Sequence, residues 1–385
     1  MTAFAQGCVL ATLAFPPAFF FQYGLYVLIF CAAVSLLNGA RLGRPDTAAL
    51  LYLGLSALSF TWTAHHVTVA YELRYVAGCV ALFVAVRLTI RTRLHFLLAA
   101  IGFVAGSVAA AAQLVLTSGA GLRWSYNTTD ARYSLDSINS NYSAYTFTTA
   151  VFVVIVMLLT TRSVRWRVAG VGVIGALYGG ILLTGTRGAL ASLVLLIGWA
   201  VIAARRPGRA VSVMAAVMGA ASLATFLGVF DNWIRTVVPN AGREVGNLSG
   251  RLDVWPIARE VFWDSPILGR GAGAFRTVPE NYLGFGAHQA FLDVGTGTGI
   301  IGIVLFTTTM VSAIRAQRST HLVLLSTGAF IASVAPILVS GYWHNSPVFW
   351  ASLALVSRIH TLARAGLVNS DPKVDLPTQS DGTSR

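Results

Sequence analysis

The sequence predicts an all-α fold: a polytopic integral membrane protein of about 12 transmembrane helices, with a large outward-facing loop that contains short helices. The first observation is composition, because 56% of the residues are hydrophobic and only 11% are charged, against about 25% charged residues in soluble domains. The second is the recurrence of apolar runs of about 17–25 residues, the helix length that a bilayer of about 30 Å requires. The third is that arginines concentrate in alternate connectors, a pattern typical of membrane proteins.

The apolar runs divide the chain into twelve predicted spans. The first run, Gly7 to Leu37, is too long for one ordinary helix, and Pro16-Pro17 with the polar pair Gln22-Tyr23 predicts a turn between two shorter ones. In order, the predicted spans cover residues 7–21, 24–38, 47–62, 71–88, 94–117, 144–161, 167–184, 188–204, 210–230, 289–313, 320–340 and 347–364.

The connectors predict how the spans are oriented. Each short connector of one alternate set carries at least two arginines, as at Arg41/Arg44 and Arg205/Arg206/Arg209. Since cytoplasmic connectors are rich in Lys and Arg, this set is predicted to be cytoplasmic, and both termini with it. The chain is then divided into nine spans (1–230), a large outer loop (231–288), three further spans (289–364) and a cytoplasmic tail predicted to be disordered (365–385).

Two other classes of protein are disfavoured by the same residues. The formal net charge of +13 would suit a nucleic-acid-binding protein, but the arginines lie mainly in connectors, so no nucleic-acid partner is expected. His65 and His66 with Glu72 come nearest to a metal-ligand group, but adjacent histidines point in different directions and a full ligand set is not evident. Neither a metal nor a cofactor is therefore expected.

Arg187 lies in the turn Thr184-Gly-Thr-Arg187-Gly between two spans, on the predicted outer side. An arginine there runs against the positive-inside bias. The turn also opens a helix, whose unpaired N–H groups favour a nearby anion, and a guanidinium is well suited to phosphate. The alternative is an arginine that extends to the membrane interface.

The segment 231–286 is the only long polar insertion, and it holds six arginines and six acids. Apolar residues at helical spacing predict an amphipathic helix up to Asp264, in which Arg251 and Arg259 project from nearly the same face. The alternative for Arg259 is a solvated position on a surface helix. Gly269-Arg-Gly-Ala-Gly273 resembles a nucleotide loop only superficially, because no strand pattern precedes it and no helix pattern follows it.

His288 stands where the insertion re-enters the membrane, five residues before Asp293. Neutral imidazole is a standard general base near pH 7, and the alternative is a hydrogen-bonded structural histidine. His344-Asn345, in the last outer connector, can line the same outer cavity. Small residues suited to close helix packing follow Asp293, at Gly295, Gly297, Gly299 and Gly302.

Taken in order, these motifs resemble the O-antigen ligase and O-antigen polymerase superfamily. The residues that carry the resemblance, within about 167–313, are Thr184-Gly-Thr-Arg187-Gly, Arg251 with Trp255, Ser265-Pro-Ile-Leu-Gly-Arg-Gly-Ala-Gly-Ala-Phe275, and His288 followed by Gly299-Ile-Ile-Gly302. The twelve-span layout with a large outer loop before the tenth span agrees. One departure is that Gln289 stands where the family often has asparagine after the histidine, and glutamine keeps the amide.

The resemblance implies transfer of a glycan from a polyprenyl-pyrophosphate carrier to the hydroxyl of a glycan or glycolipid acceptor. The site is then expected at the outer face of the bacterial cytoplasmic (inner) membrane, with catalytic roles for His288, Arg187 and Arg251. Two arginines can neutralise the leaving pyrophosphate without a metal, and His288 can take the acceptor proton. The residues expected to bind substrate are Arg187, Arg251, Arg259, Arg270, Trp255, Gln289 and His344.

Two alternatives stay open at this point. A transporter or flippase for a lipid-linked or hydrophobic solute would also suit twelve spans with both termini inside. Such proteins usually show repeated halves and ionisable residues near the bilayer midplane, and no repeat is evident here. Within the superfamily, the motifs are common to ligases and polymerases alike.

Overall fold

The computed structural model describes residues 2–15, 20–118, 133, 135, 139–161, 163–229, 251–314, 321–338 and 344–362. Helices account for 82% of this described part, which contains no strand. The prediction of an all-α fold is therefore confirmed. Most of the loop 117–145, residues 231–250 and the tail 365–385 lie outside the described residues, so the expectations for them stay predictions.

The described α-helices follow the predicted spans, and each of the twelve predicted segments overlaps one. In order they are α1 Thr2–Thr12, α2 Leu25–Leu37, α3 Arg44–Leu58, α4 His66–Thr89, α5 Arg93–Ser118, α6 Ser140–Thr160, α7 Val164–Thr184, α8 Arg187–Ala203, α9 Pro207–Leu227, α10 Arg251–Asp264, α11 Ala290–Ile314, α12 His321–Leu338 and α13 Pro347–Leu362. The additional helix, α10, is the one predicted within the large polar loop. Its apolar positions Val254, Ala258 and Val261 are buried, as the helical spacing indicates.

Seven helical stretches of the described chain are long and apolar enough to cross a membrane: Phe20–Leu37, His66–Thr89, Arg93–Thr117, Ser140–Thr160, Val164–Thr184, Pro207–Leu227 and Ala290–Ile314. Shorter apolar helices cover Thr2–Thr12, Arg187–Ala203, His321–Val334 and Pro347–Ile359. The chain is thus a polytopic membrane protein. The number of twelve crossings, their orientation and the outward position of the large loop stay predictions.

Some predicted boundaries are wrong, and α1 ends at Thr12 rather than at residue 21. The turn predicted at Gln22-Tyr23 is absent, because Phe20–Gly24 forms a π-helix that runs directly into α2. Both polar side chains are exposed on this helix, so their polarity does not require a turn. Helix α4 begins at His66, five residues before the predicted span, which places Glu72 inside the helix.

Arg87, one of the connector arginines, forms a buried ion pair with Asp46. The Nε of Arg87 donates to Oδ1 of Asp46 at 2.7 Å, and both side chains are buried. The other carboxylate oxygen of Asp46 accepts the backbone N–H of Gly43 at 2.8 Å and so caps α3. Since removing either partner would leave a buried charge unpaired, this pair joins the ends of α3 and α4 firmly.

Helix α11 is interrupted at Gly299, and the loop after α10 forms hydrogen bonds with the backbone groups on both sides of the interruption. Gly299 has φ 65° and ψ −163°, which interrupts the helical hydrogen-bond ladder. The loop supplies the missing partners: Arg270 N–H donates to Thr296 at 2.8 Å, Gly271 N–H donates to Gly297 at 2.9 Å, and Pro266 accepts from Ile300 N–H at 2.8 Å. Non-helical backbone at membrane depth is tolerated where protein satisfies its polar groups in this way.

Glycine is required on both sides of this contact. A Cβ at Gly299 would collide with the carbonyl of Ile267, and one at Gly269 would collide with the backbone of Gly297. The glycines at 269–273 are therefore explained by packing, which agrees with the rejection of a nucleotide loop. Close packing against another helix, as predicted, holds only for Gly295, which lies against Phe262 of α10. Gly297 and Gly299 pack against a loop, and the nearest atoms to Gly302 belong to α11 itself.

Candidate active site

His288 has an unusual backbone conformation that its neighbours hold in place. Its φ is 54°, the only positive φ of a non-glycine residue in the described chain. On one side, the N–H of Ala287 donates to Oδ1 of Asp293 at 2.8 Å. The carbonyl of Ala287 accepts from Nε1 of Trp255 at 2.9 Å. A strained residue fixed in this way by its surroundings is typical of functional sites.

Gln289 fixes the other side of His288. Its buried side chain accepts the N–H of Leu292 at 2.6 Å, in the first turn of α11. The amide nitrogen donates to the carbonyl of Ser222 and to Oγ1 of Thr225, both at 3.3 Å, near the end of α9. The amide that follows the histidine therefore joins α9 to α11 and limits where the imidazole can lie.

Three charged or titratable residues converge beside one apolar cluster. The cluster contains Leu252, Phe275 and Ala287 together with Trp255 and Val278. Arg251, Arg276 and His288 are the immediate chain neighbours of its first three members. The packing of this cluster thus brings the start of α10, the 3-10 turn Ala274–Arg276 and the re-entry into α11 to one place.

The electrostatic environment keeps His288 neutral. Burial, and then the positive charges of Arg251 and Arg276, lower the pKa of the imidazole from 6.5 to about 3. Each of these effects disfavours the imidazolium form. At neutral pH the side chain is therefore an unprotonated imidazole that can accept a proton, next to two guanidinium groups that can hold an anion.

Arg187 is the first residue of α8, as the sequence predicted. Gly185 ends α7 in the left-handed conformation with φ 59°, and Thr186 precedes α8 in an extended conformation. Thr186 donates from Oγ1 to Oδ1 of Asn141 at 3.2 Å, which ties the turn to the start of α6. Arg187 is exposed at this helix N-terminus.

The other expected substrate-binding residues have varied positions. Arg259 donates to the carbonyl of Thr225 at 3.2 Å and so caps the end of α9. Arg270 is 40% exposed and faces two acids, Asp264 at 3.6 Å and Glu280 at 4.0 Å. Trp255 is buried, and its indole N–H donates to the carbonyl of Ala287, next to His288. It therefore positions the backbone at the site.

His344 lies beside Glu72, which the sequence does not predict as a residue of the active site. Its Nε2 is 3.0 Å from Oε1 of Glu72, and the same oxygen accepts from Asn345 at 2.6 Å. The second oxygen of Glu72 is 3.5 Å from the guanidinium of Arg276. In the sequence, Glu72 stands out only as a candidate metal ligand with His65 and His66. No group of three or more potential metal ligands occurs among the residues that the structure describes.

Arg276 and Glu72, which the sequence does not predict as site residues, differ in the strength of their local sequence signals. Arg276 was one of six arginines in the polar loop, and nothing in its local sequence distinguishes it from the others. An acid inside an apolar helix is a recognisable signal. The late start predicted for α4 placed Glu72 at the helix edge and concealed that signal.

Comparison with known families bears directly on this region. The model of the O-antigen ligase family matches residues 173–307. The resemblance to the O-antigen ligase and polymerase superfamily is thereby confirmed. The O-antigen ligase match contains Arg187, Arg251, Arg276 and His288, whereas Glu72 lies outside it. Comparison with curated proteins gave no match. A match to the O-antigen ligase family points to a glycosyl-transferring enzyme.

Trp255→Phe tests how the histidine backbone is held. The ring stays in the apolar cluster, but the carbonyl of Ala287 loses its donor and is left buried without it. We expect a loss of about 1–3 kcal/mol in stability, measured by thermal unfolding of the detergent-purified protein. Trp263→Phe, at a position that is 63% exposed, is the matched control and should change little. Equal effects of the two variants would exclude a specific role for the Trp255 hydrogen bond.

Proposed function

We propose that the chain transfers a glycan from a polyprenyl-pyrophosphate carrier to an acceptor hydroxyl at the outer face of the bacterial inner membrane. The observation that carries this proposal is the neutral imidazole of His288 flanked by Arg251 and Arg276. Transfer to a hydroxyl needs a base for the acceptor proton and positive charge for the leaving pyrophosphate. Residues suited to both roles lie within the region that matches the O-antigen ligase family, which supports the proposal.

The proposed reaction is a single displacement at the anomeric carbon of the donor. His288 removes the proton from the acceptor hydroxyl as its oxygen attacks that carbon. The bond from the carbon to the pyrophosphate oxygen breaks, and the negative charge that develops there is neutralised by Arg251 and Arg187. Since guanidinium groups bind phosphate oxygens in a planar, bidentate manner, they orient the leaving group as well as neutralise it.

The carrier is a lipid, so its pyrophosphate has to reach the site from the membrane surface. The helices around His288 fit this requirement, because α11 is one of the seven candidate spans and His288 lies two residues before its start. The donor chain can therefore stay in the bilayer while the headgroup meets the arginines. The acceptor would enter from the aqueous side.

The deciding experiment is a transfer assay with detergent-purified protein, a polyprenyl-pyrophosphate-linked glycan and a glycan or glycolipid acceptor. Formation of the lengthened or ligated product, with release of polyprenyl pyrophosphate, supports the proposal. If the protein instead moves the intact lipid-linked donor between leaflets of a proteoliposome without forming product, it is a flippase and the transferase proposal fails.

The same assay predicts metal independence. Arginines can neutralise the negative charge of the pyrophosphate, as a divalent cation does in other glycosyltransferases, so we expect transfer to persist with excess chelator. The rate with chelator should be within about twofold of the untreated rate, given that nothing in the proposed step requires a metal. A loss of transfer that Mg²⁺ or Mn²⁺ restores would contradict the mechanism, while loss that neither ion restores would point to an effect of the chelator itself.

A further inference from the structure

Glu72 is an acid buried at a meeting point of three distant parts of the chain. Its side chain is only 2% exposed. The donors that reach it are His344 and Asn345 from the connector before α13, and Arg276 from the loop before α11. These partners are more than 200 residues away in sequence. Helix α4, which carries Glu72, packs along α13, so the contact joins two helices to the loop that reaches the site.

The loop is held against α4 on both sides of Arg276. On one side Gly273, with φ 73°, lies so close that a Cβ there would come within 2.7 Å of the Glu72 side chain. On the other side the hydroxyl of Thr277 is 3.3 Å from that of Thr68, one turn earlier on α4. The Arg276 backbone is therefore fixed relative to Glu72, and the ion pair then fixes the guanidinium.

The Arg276 side chain contacts the buried Glu72 and is also partly exposed. One guanidinium nitrogen is 3.5 Å from the buried carboxylate, yet the Arg276 side chain is 28% exposed. Its chain neighbour Phe275 belongs to the same apolar cluster as Ala287, which precedes His288. A guanidinium has five N–H donors in a rigid fork, so one edge can bind a carboxylate while another binds a phosphate oxygen.

We propose that Glu72 is a positioning residue: it holds the guanidinium of Arg276 beside His288, where Arg276 binds the donor pyrophosphate together with Arg251. This inference rests on the proposed function and adds to it a third phosphate-binding arginine and the residue that aims it. His344 and Asn345 act through Glu72, because both donate to its Oε1 and leave Oε2 to the arginine.

A purely structural role for Glu72 makes a different prediction. If the ion pair only stabilised the packing of α4 against the loop, its removal would lower the amount of folded protein. The folded fraction would then keep its affinity for the donor. A positioning role instead weakens donor binding by folded protein, and this weakening depends on the presence of Arg276.

The test is a double-mutant cycle of Glu72→Gln and Arg276→Gln on the detergent-purified full chain. Binding of inorganic pyrophosphate is measured by calorimetry, and the KM for the lipid-linked donor is measured by transfer. Glutamine keeps the volume of Glu72 and an oxygen for His344 and Asn345 but lacks the charge that holds Arg276. Each single variant should weaken pyrophosphate binding about 10- to 100-fold, the usual effect of losing a charged hydrogen bond. The double variant should be no weaker than Arg276→Gln alone.

Two further variants complete the design. Glu260→Gln makes the same chemical change at an exposed position of α10 and should bind pyrophosphate as the wild type does. If Glu72→Gln does not fold, Asn345→Ala takes its place in the cycle. That variant removes the 2.6 Å hydrogen bond to Glu72 and leaves the ion pair formally intact. It should also weaken binding in a way that depends on Arg276.

The outcomes separate the two proposals. A wild-type protein that neither binds pyrophosphate nor forms product overturns the proposed function and this inference with it. A wild-type protein that does both, while Glu72→Gln binds normally or its effect adds in full to that of Arg276→Gln, overturns the inference alone. Non-additive weakening with the protein folded supports it.

Discussion

Replacing His288 with alanine is expected to reduce glycan transfer by about 10²–10⁴-fold, the usual cost of losing a general base. Donor binding should be largely kept, because Arg187 and Arg251 still bind the pyrophosphate. The measurements are the turnover number in the transfer assay and the affinity for inorganic pyrophosphate, both on purified folded protein. A loss of this size with binding intact distinguishes a base from a packing residue.

The backbone of His288 decides which variants make a fair comparison. Because φ is 54° there, alanine adds conformational strain to the loss of the imidazole. His288→Asn removes the base as well, and asparagine adopts the left-handed region more readily. Both variants should be inactive, with the asparagine variant the more stable of the two. His321→Ala, at an exposed position that begins α12, should keep full transfer. Substantial transfer by His288→Asn would remove the residue from the mechanism.

The pH dependence follows from the sign of the pKa shift. An unperturbed histidine would lose activity as the pH falls through about 6.5, because imidazolium cannot accept a proton. Here burial and the two arginines lower the pKa of His288 to about 3. The kcat/KM, which reports the free protein, should therefore not fall through a histidine pKa between pH 8 and 5. In the donor complex the pyrophosphate offsets the arginine charges and raises the pKa. The acidic loss should thus appear in kcat at a higher pH than in kcat/KM.

Much of the fold could be predicted because lipid imposes a simple rule on sequence. A spanning helix has to be apolar over its whole length, so runs such as 167–184 and 210–230 closely match α7 and α9. The rule is weaker at helix ends, where polar residues are tolerated. Because of this, the sequence predicts a start for α4 at Tyr71, one helical turn too late. For the same reason it predicts a turn at Gln22-Tyr23, which is helical.

The candidate site could be predicted only where its residues have local signals. Arg187 follows a glycine turn at a helix start, and His288 marks the re-entry into an apolar helix. In the network of Glu72 with Arg276 and His344, the one local signal is an acid inside an apolar helix. The contacts themselves are created by packing between segments far apart in sequence. The roles of Gln289 and Trp255 in holding the His288 backbone also depend on tertiary contacts. Sequence patterns indicate the neighbours of a residue along its own helix. They do not indicate which residues of other segments pack against it.

Arg187→Lys is expected to reduce transfer by about 10²–10³-fold although the positive charge is kept, a loss comparable with that of one preorganised donor at a developing negative charge. The guanidinium presents a planar fork that binds two phosphate oxygens at once, whereas the lysine ammonium is a compact and strongly hydrated point charge. The structure places Arg187 at the exposed N-terminus of α8, after a turn fixed by Gly185 and Thr186. The clamp hypothesis is the proposal that helix N–H groups and the Arg187 guanidinium bind the same anion.

Arg93→Lys provides the matched control, because Arg93 is also the exposed first residue of a helix, α5, and lies on the predicted cytoplasmic side. If any arginine at a helix start merely anchors the chain at the membrane interface, the two lysine variants should behave alike and transfer at near wild-type rates. The clamp hypothesis instead requires that Arg187→Lys loses transfer and binds inorganic pyrophosphate more weakly, while Arg93→Lys does neither. Near wild-type transfer by folded Arg187→Lys would reject the clamp hypothesis and leave bidentate binding of the pyrophosphate to Arg251 and Arg276.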